Sequence, residues 1–506
     1  MKYFVVFFSI ICFLSNCKDP SSVTTEPKEN ENIVNGIRIE NGSEKGDPNI
    51  VLILTDDLGF NDFQRHFKIK SHPVLEKFIA ESFEITNFNT NSNCSPSRHA
   101  LLTGNHSFKY GMNSFVVHPY YKNYHLTETD KIFPEILQEH GYTNGIFGKW
   151  HLADTSEGVG KKGTMPLDRG FDVQFGVMGG GIHYFKHHHV LKKFIKGKIR
   201  EVVFKDISLD QKPIPLDDSE SVTKLLTDHA IDFISENHKK NNKFFAYLPY
   251  TAPHTPYNRN PYDTHFYFSK CHDKKLRAKD IKRFYVLEQL IENIERVIVT
   301  LKELNIEDNT ILIVTSDNGA VGRQCKSKEF NSPLKGFKGS LYDGALRVRC
   351  YVKYPGESIE KGEMPINAPV HITDLYPTLL SLANIKSVIP TDGIDISDQL
   401  RGSKMAERVV TQDLVPNVRY AAKMNNYKLC GNCNTSITNL EPRAIEWELF
   451  DIQKDPQEKI NLLNKGIREE AIMKNHLIEQ QKYYKEPHIN SIFADWKKPV
   501  SCLGCF

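Results

Sequence analysis

The sequence predicts an α/β protein with one large, mostly parallel sheet flanked by helices, plus a smaller C-terminal α+β domain. Three observations carry that prediction. Continuous apolar runs recur at 49–55, 243–249 and 309–316, the pattern of strands buried on both faces. Amphipathic stretches alternate with them: Ser221 to Asn237, with Leu225, Leu226, Ala230, Ile231, Phe233 and Ile234, and Lys279 to Leu304, with Leu287, Leu290, Ile291, Ile294, Val297, Ile298 and Leu301. Strands alternating with helices of this kind imply a parallel sheet covered on both faces. From about residue 405 the elements shorten, to Arg408–Gln412, Val418–Leu429 and Ala444–Asp451, then a helical stretch Gly466–Tyr484. This is the texture of the smaller unit.

Composition bounds the function. The 506 residues carry 65 Lys+Arg against 62 Asp+Glu, a net charge of +3, which lacks the basic excess of a dedicated nucleic-acid binder. With 30 Gly, 25 Pro and no short repeat, collagen-like, solenoid and low-complexity architectures are excluded.

At the N-terminus, Lys2 precedes an apolar run from Tyr3 to Leu14 broken only by Ser9. That run is too short for a bilayer-spanning helix but fits a signal peptide, so export is expected. Leu14-Ser15-Asn16-Cys17 resembles a bacterial lipobox, which implies lipidation of Cys17 and attachment to the membrane through lipid alone, at the outer membrane or cell surface. Cleavage nearby, giving a periplasmic or secreted protein, is the other reading. The expected organisation is a signal peptide over 1–17, a polar flexible tether over 18–47, a catalytic domain over 48–404 and the smaller domain over 405–506.

Chemistry concentrates where strands end. Asp56-Asp57 follows the first run and Asp317-Asn318-Gly319 the third, while the second leads into Ala252-Pro253-His254. Ligands of open α/β sheets bind at strand C-terminal ends. Three carboxylates and an amide carbonyl, from Asp56, Asp57, Asp317 and Asn318, make a hard oxygen set suited to Ca²⁺ or Mg²⁺ and ill suited to zinc. Taken singly, these residues would equally serve as caps and turns. In Cys94-Ser95-Pro96-Ser97-Arg98, a helix starting at Cys94 would put its side chain at a positive N-terminus, with Arg98 one turn on.

Cys94-x-Pro96-Ser97-Arg98 with Leu101-Leu102-Thr103-Gly104 resembles the signature of the type I sulfatases, arylsulfatase-like enzymes of the alkaline phosphatase superfamily. Thr55-Asp56-Asp57-Leu58-Gly59, Gly148-Lys149-Trp150-His151-Leu152, Ala252-Pro253-His254-Thr255-Pro256, Thr315-Ser316-Asp317-Asn318-Gly319 and Phe337-Lys338-Gly339-Ser340 follow the family's order. Thr373 to Leu380 and Leu449 to Leu462 fit as well, so the resemblance spans about Asn49 to Leu462.

The resemblance implies hydrolysis of a sulfate ester, on a sulfated carbohydrate, by a gem-diol nucleophile. That group would be the hydrate of formylglycine, made from Cys94 by a maturation enzyme. It implies Ca²⁺, with Mg²⁺ the lesser choice, held by Asp56, Asp57, Asp317, Asn318 and the modified Cys94. Arg98 and Lys149 would orient the formylglycine and the sulfate, His151 would hydrogen-bond the gem-diol, and Asp317 could accept a proton. His254 and Lys338 would bind sulfate and assist the leaving group. Lys149 would share in substrate binding. Ala153, Ala345 and the segment Val348-Arg349-Cys350 depart from the family pattern, as does Lys224, where many relatives have Asp. A phosphodiesterase or phosphonate monoester hydrolase could use similar groups. An inactive surface glycan-binding lipoprotein is the non-enzymatic reading.

Two basic stretches could attract a polyanion or simply face solvent. Lys186 to Lys205 has seven cations against one acid, and Lys270 to Arg283 seven against two. His187, His188 and His189 are consecutive, which rarely lets side chains converge on one ion. The pairs Cys430-x-x-Cys433 and Cys502-x-x-Cys505 are expected to form disulfides joining the C-terminal tail to the small domain, with a zinc site as the other reading. Of Cys271, Cys325 and Cys350, two could pair.

Overall fold

The computed structural model describes residues 47–486 except 113–115, 118–120, 123, 155–160, 196–197, 206, 211, 214–219, 259–277, 323–329, 387–388 and 436–441, together with 33–34, 37–38 and 490–491. Cys17, Cys271, Cys325, Cys502 and Cys505, and nearly all of the signal and tether segments, lie outside the described residues. Ile33–Val34 and Ile37–Arg38, in the stretch expected as tether, pair as short antiparallel strands.

The elements that matter here are β1 (Asn49–Thr55), β2 (Phe83–Asn89), α1 (Cys94–Thr103), β3 (Thr143–Lys149), β4 (Val173–Val177), α2 (Val222–Lys239), β5 (Phe244–Pro249), α3 (Ala278–Glu303), β6 (Thr310–Ser316) and β7 (Arg347–Lys353). The C-terminal part adds β8 (Val409–Val415), β9 (Arg419–Met424), β10 (Tyr427–Gly431), β11 (Trp447–Asp451) and α4 (Arg468–Gln480).

Among the described residues the central sheet has eleven strands, with β4-β3-β5-β1-β6-β7-β2 at its middle. The strands from β4 to β6 are parallel, and β1, β5 and β6 carry the apolar runs of strands buried on both faces, whereas β7 is antiparallel to both neighbours. Alternation along β1 sorts its side chains between two cores. Ile50, Leu52 and Leu54 join one with Phe245, Tyr247 and α1's Leu101. Val51 and Ile53 join the other with Leu226, Ala230 and Ile234 of α2 and the whole predicted α3 stripe, Leu287 to Leu301. Each such side chain contributes roughly 1.5–3 kcal/mol by leaving water.

The smaller sheet, β8-β9-β10-β11, is antiparallel throughout. Period-two alternation again divides its faces. Tyr420, Ala422 and Met424 of β9 pack with Met473 and Leu477 of α4. Arg419, Ala421 and Lys423 are on the opposite face, where Ala421 meets Leu341, Tyr342 and Leu346. The two cations there are fully buried and paired. Arg419 donates to Asp413, to Ser92 Oγ (2.7 Å) and to the Gly339 carbonyl (2.9 Å). Lys423 and Lys428 share Asp343 (each 2.9 Å), and Lys428 also reaches Glu458 at 2.8 Å.

The disulfide expectation is corrected. Cys430 pairs with Cys433 within its own motif, not with the tail. Asn432 takes a left-handed conformation (φ 55°) between them, closing the turn until the Cα atoms are 5.7 Å apart, within bridging reach. Cys350 is a buried free thiol. The basic stretch ending at Arg283 is also not all surface: Arg283 is buried and donates to Asp62 at 2.7 and 2.8 Å and to the Asp57 carbonyl at 2.8 Å. Lys224 lies in an exposed ladder on α2, pairing with Glu220 (2.8 Å) and Asp228 (2.7 Å).

Removing one partner of a buried ion pair costs about 3–5 kcal/mol. Arg419→Met should therefore lower unfolding stability by about that amount in a denaturant titration, and a loss under about 1 kcal/mol, the level of an exposed pair, would show that Arg419 is not a buttress.

Candidate active site

Register brings the strand ends together. Thr55 lies opposite Ser316 across β1 and β6, so Asp56-Asp57 and Asp317-Asn318 leave the sheet side by side. Lys149 closes β3 and His254 follows β5. Gly148, at φ 152°, lets these two strands approach, since a Cβ there would lie 2.1 Å from the Pro249 carbonyl oxygen. Asp57 (φ 66°) and His151 (φ 57°) adopt left-handed backbone that non-glycine residues rarely hold, a strain concentrated at functional sites.

Cys94 is the first residue of α1 and Gly104, at φ 68°, ends it, as the left-handed C-terminal position favours. All ten residues of this helix are buried, which fixes the N-terminus against the strand ends. Cys94 Sγ lies 3.3 Å from His151 Nδ1. His151 Nε2 faces the Val117 carbonyl at 2.8 Å and must carry the ring proton to donate there, so Nδ1 presents a lone pair to residue 94. Ser95 Oγ donates to the His151 carbonyl (3.1 Å) and accepts from Val117 N–H (2.9 Å), locking this geometry.

Cations interleave with the carboxylates. Arg98 donates from Nε (3.1 Å) and a terminal nitrogen (2.8 Å) to Asp317 Oδ2, and from its other nitrogen to the Lys149 carbonyl (2.8 Å). Its guanidinium thus orients Asp317 and the end of β3. Lys149 Nζ lies 2.6 Å from Asp56 Oδ2, and Lys338 Nζ 2.6 Å from Asp57 Oδ1. His254 donates from Nδ1 to the Thr255 carbonyl (2.6 Å), while Nε2 points toward Asp57 Oδ2 at 3.7 Å.

Burial alone would raise the Asp56 carboxyl, yet Lys149, His254, Lys338 and Arg98 together hold it well below the usual range. Burial, then Asp56, push Asp317 up to about 6. At Lys338 burial opposes charge, but Asp57, Cys94, Asp56 and Asp317 overcome it and raise the ammonium. Burial keeps His151 neutral, helped by Lys149 and Arg98, and also lowers His254. It raises the Cys94 thiol.

Three oxygens show what the site is built to hold. Asp56 Oδ1, Asp57 Oδ2 and Asn318 Oδ1 are buried without a hydrogen-bond partner, an arrangement that costs several kcal/mol unless an electron-pair acceptor sits among them. The donor set is hard oxygen, fitting Ca²⁺ or Mg²⁺.

All ten residues proposed from sequence, Asp56, Asp57, Cys94, Arg98, Lys149, His151, His254, Asp317, Asn318 and Lys338, thus lie in this one array. Lys335 lies elsewhere, donating to the Glu458 carbonyl (2.9 Å) over the Tyr342 ring. Sequence reasoning missed four contributors. Beside Ser95 there is Tyr184, whose hydroxyl lies 2.8 Å from the His254 carbonyl and 2.9 Å from that of Thr251. Gly180 and Gly181 lie against the two histidines: a Cβ would sit 2.8 Å from His151 Nε2 or 3.2 Å from His254 Nδ1. The run Gly179-Gly180-Gly181 was the available signal.

The sulfatase family profile matches residues 48–385. The chain belongs to the sulfatase family. It is 30% identical over 406 residues to mouse arylsulfatase J, covering 80% of this chain and 64% of that protein; the chain therefore spans less than two thirds of that relative. It is 28% identical to mouse N-acetylgalactosamine-6-sulfatase over 384 residues, 72% of this chain and 68% of that one. Among solved structures, Ps i-CgsB in complex with k-i-k-neocarrahexaose superposes with a TM-score of 0.71 at 25% identity, over 88% of this chain and 95% of that chain.

A buried histidine held neutral resists protonation as pH falls below its ordinary value. Nitrogen-15 NMR of the His151 ring should show the Nε2–H tautomer unchanged down to about pH 6 and below, whereas an imidazolium near neutrality would contradict this hydrogen-bond assignment.

Proposed function

We propose that this sulfatase-family chain hydrolyses a sulfate ester of a carbohydrate, with Cys94 matured to formylglycine and Ca²⁺ held by Asp56, Asp57, Asp317 and Asn318. One observation carries the reading: orphaned hard oxygens lie beside the N-terminus of α1 within a ring of cations. The three carboxylates of Asp56, Asp57 and Asp317 balance Arg98, Lys149 and Lys338. A divalent ion would leave the site positive and able to bind an anionic ester.

Hydrated formylglycine supplies a hydroxyl nucleophile and Ca²⁺ a fixed charge against sulfate oxygens. The chain's own residues do the rest. His151 Nδ1, unprotonated and facing position 94, can take a proton from a hydroxyl there. Lys149 and Lys338 place ammonium groups where charge on the non-bridging oxygens must be held. Because Thr255 draws the His254 proton to Nδ1, the proton for the departing alcohol is assigned to an ammonium, that of Lys338, and neutral His254 positions the ester.

Carbohydrate specificity is supported by a relative named N-acetylgalactosamine-6-sulfatase and by a structural neighbour crystallised with k-i-k-neocarrahexaose. The basic stretch 186–205 lies on an antiparallel hairpin, His188–Ile195 with Lys198–Lys205, and would steer a polyanion toward the protein. We also propose export through the N-terminal signal with Cys17 lipidated, and modification of Cys94 by a maturation enzyme of the host.

Mass analysis of the Cys94 peptide should show loss of sulfur and two hydrogens and gain of one oxygen. Cys94→Ala should abolish aryl sulfate turnover without unfolding the protein, and Lys338→Ala should lower kcat by about 10²–10³-fold. Faster turnover of an aryl phosphodiester than of an aryl sulfate would replace the sulfatase reading. Chelation should remove activity, with Ca²⁺ restoring it better than Zn²⁺.

Steering has its own signature, because screening grows with ionic strength. Raising salt should slow turnover of a sulfated polysaccharide much more than that of a small aryl sulfate. Equal sensitivity would remove the hairpin from substrate capture.

A further inference from the structure

A second cluster of metal-ligating side chains lies apart from the catalytic array. His66 is in the short helix Asp62–Phe67, His72 immediately precedes the helix Pro73–Glu81, and Glu288 is on α3. All three are buried, at 0%, 2% and 3% exposure, and their candidate ligand atoms lie within 4.8 Å of one another. His66 Nε2 and His72 Nε2 both converge on one oxygen, Glu288 Oε2, the first in close contact and the second at 3.2 Å.

Hydrogen bonds alone hold this geometry only if His72 carries both ring protons. His72 Nδ1 faces Glu295 Oε2 at 3.3 Å, and Glu295 can only accept, since its other oxygen takes the N–H groups of Val74 and Leu75 at 3.1 Å each. Without a metal, His72 must donate from both nitrogens, and against burial Glu288 and Glu295 do raise it above its ordinary value; with a metal at Nε2 the ring needs only the Nδ1 proton that Glu295 accepts. His66 Nδ1 is buried without a partner, so Nε2 is the nitrogen that ring directs into the cluster, as a proton donor or as a metal ligand. A divalent ion would accept an electron pair from each of the three ligand atoms and remove the need for a buried imidazolium.

We infer that His66, His72 and Glu288 form a second, structural metal site for a zinc-type divalent ion, distinct from the oxygen-only set at the strand ends. Two imidazole nitrogens and one carboxylate oxygen match zinc's ligand preference, with a fourth position left for water. Glu295 completes the carboxylate–histidine–metal arrangement that fixes a ligating ring. Lys70 bonds the other Glu288 oxygen and Glu292 Oε1 (3.1 Å), restricting Glu288 to single-oxygen ligation. Bound there, the ion would tie both short helices to α3.

The test uses the full chain with its calcium in place, exposed to one equivalent of Zn²⁺, desalted and assayed for metal content. One zinc per chain is expected, lost in both His66→Gln and His72→Gln, while Glu295→Gln weakens zinc binding by about 10- to 100-fold. X-ray absorption of the wild-type zinc protein, which needs no variant to fold, should show two imidazoles in the zinc shell. No retained zinc, unchanged zinc content in either histidine variant, or an oxygen-only shell would overturn the site and leave a protonated His–Glu network. Sulfate hydrolysis is not the readout, so the outcome is independent of the proposed activity.

Discussion

Three carboxylates held dry among three cations form the constraint to which the rest of the structure answers. Asp56, Asp57 and Asp317 are 0% exposed, as are Arg98 and Lys149. At low dielectric each unpaired charge would cost several kcal/mol, so the array tolerates little displacement of any member. β1 and β6 must therefore end in register, β3 must come close enough to β5 to require Gly148, and α1 must begin where Cys94 begins it. Arg98, on α1, joins these elements, linking the Asp317 carboxylate to the Lys149 carbonyl in one rigid fork.

The smaller sheet is part of the same solution. Lys338 is a neighbour of Gly339, whose carbonyl accepts from Arg419 and whose N–H donates to the Ser92 carbonyl at 2.9 Å. Ser92 is two residues from Cys94, so one buried guanidinium from β9 braces both the nucleophile's helix and the lysine loop. Slightly further along that loop, burial would raise the Asp343 carboxyl, but Lys423 and Lys428 win and hold it well below the ordinary range. The segment after Lys338 is thus held at two points by charges from another sheet.

What was legible in the sequence follows from whether the cause is local. Apolar runs at strand ends are local, and so β1, β5 and β6 and the acids Asp56, Asp57 and Asp317 could be read directly, whereas β3 and β4, interrupted by Gly, Asn and Gln, could not. The α3 stripe was legible for the same reason. Asn318 was readable only beside the other ligands, because Asp-Asn-Gly alone fits a turn equally well. Ser95 and Tyr184 act on backbone carbonyls, which carry no side-chain signature. The Cys430–Cys433 bridge depends on a left-handed Asn432, and Arg283 looked like surface charge because its partner, Asp62, lies 221 positions away. Lys224, read as a departure from the family, pairs with Asp228 on its own helix and with Glu220 just before it.

The strand end after β1 has a further support that its own sequence does not reveal. Gly59 N–H donates to Asp62 Oδ2 at 2.5 Å, and Asp62 receives both terminal nitrogens of Arg283. A terminal nitrogen of Arg283 also reaches the carbonyl of Asp57, the residue held in strained left-handed backbone. α3 thereby fixes the conformation of a proposed metal ligand through its main chain while leaving the Asp57 carboxylate free for Lys338 and a cation. Glu288, little more than one turn along the same helix, fastens His66 and His72. Because the helix Asp62–Phe67 is only six residues long, too short to be stable by propensity alone, it relies on contacts to α3 near both ends, from Arg283 to Asp62 and from Glu288 to His66. The constraint at the active site is thus met partly by an element that contributes no side chain to the array of ten.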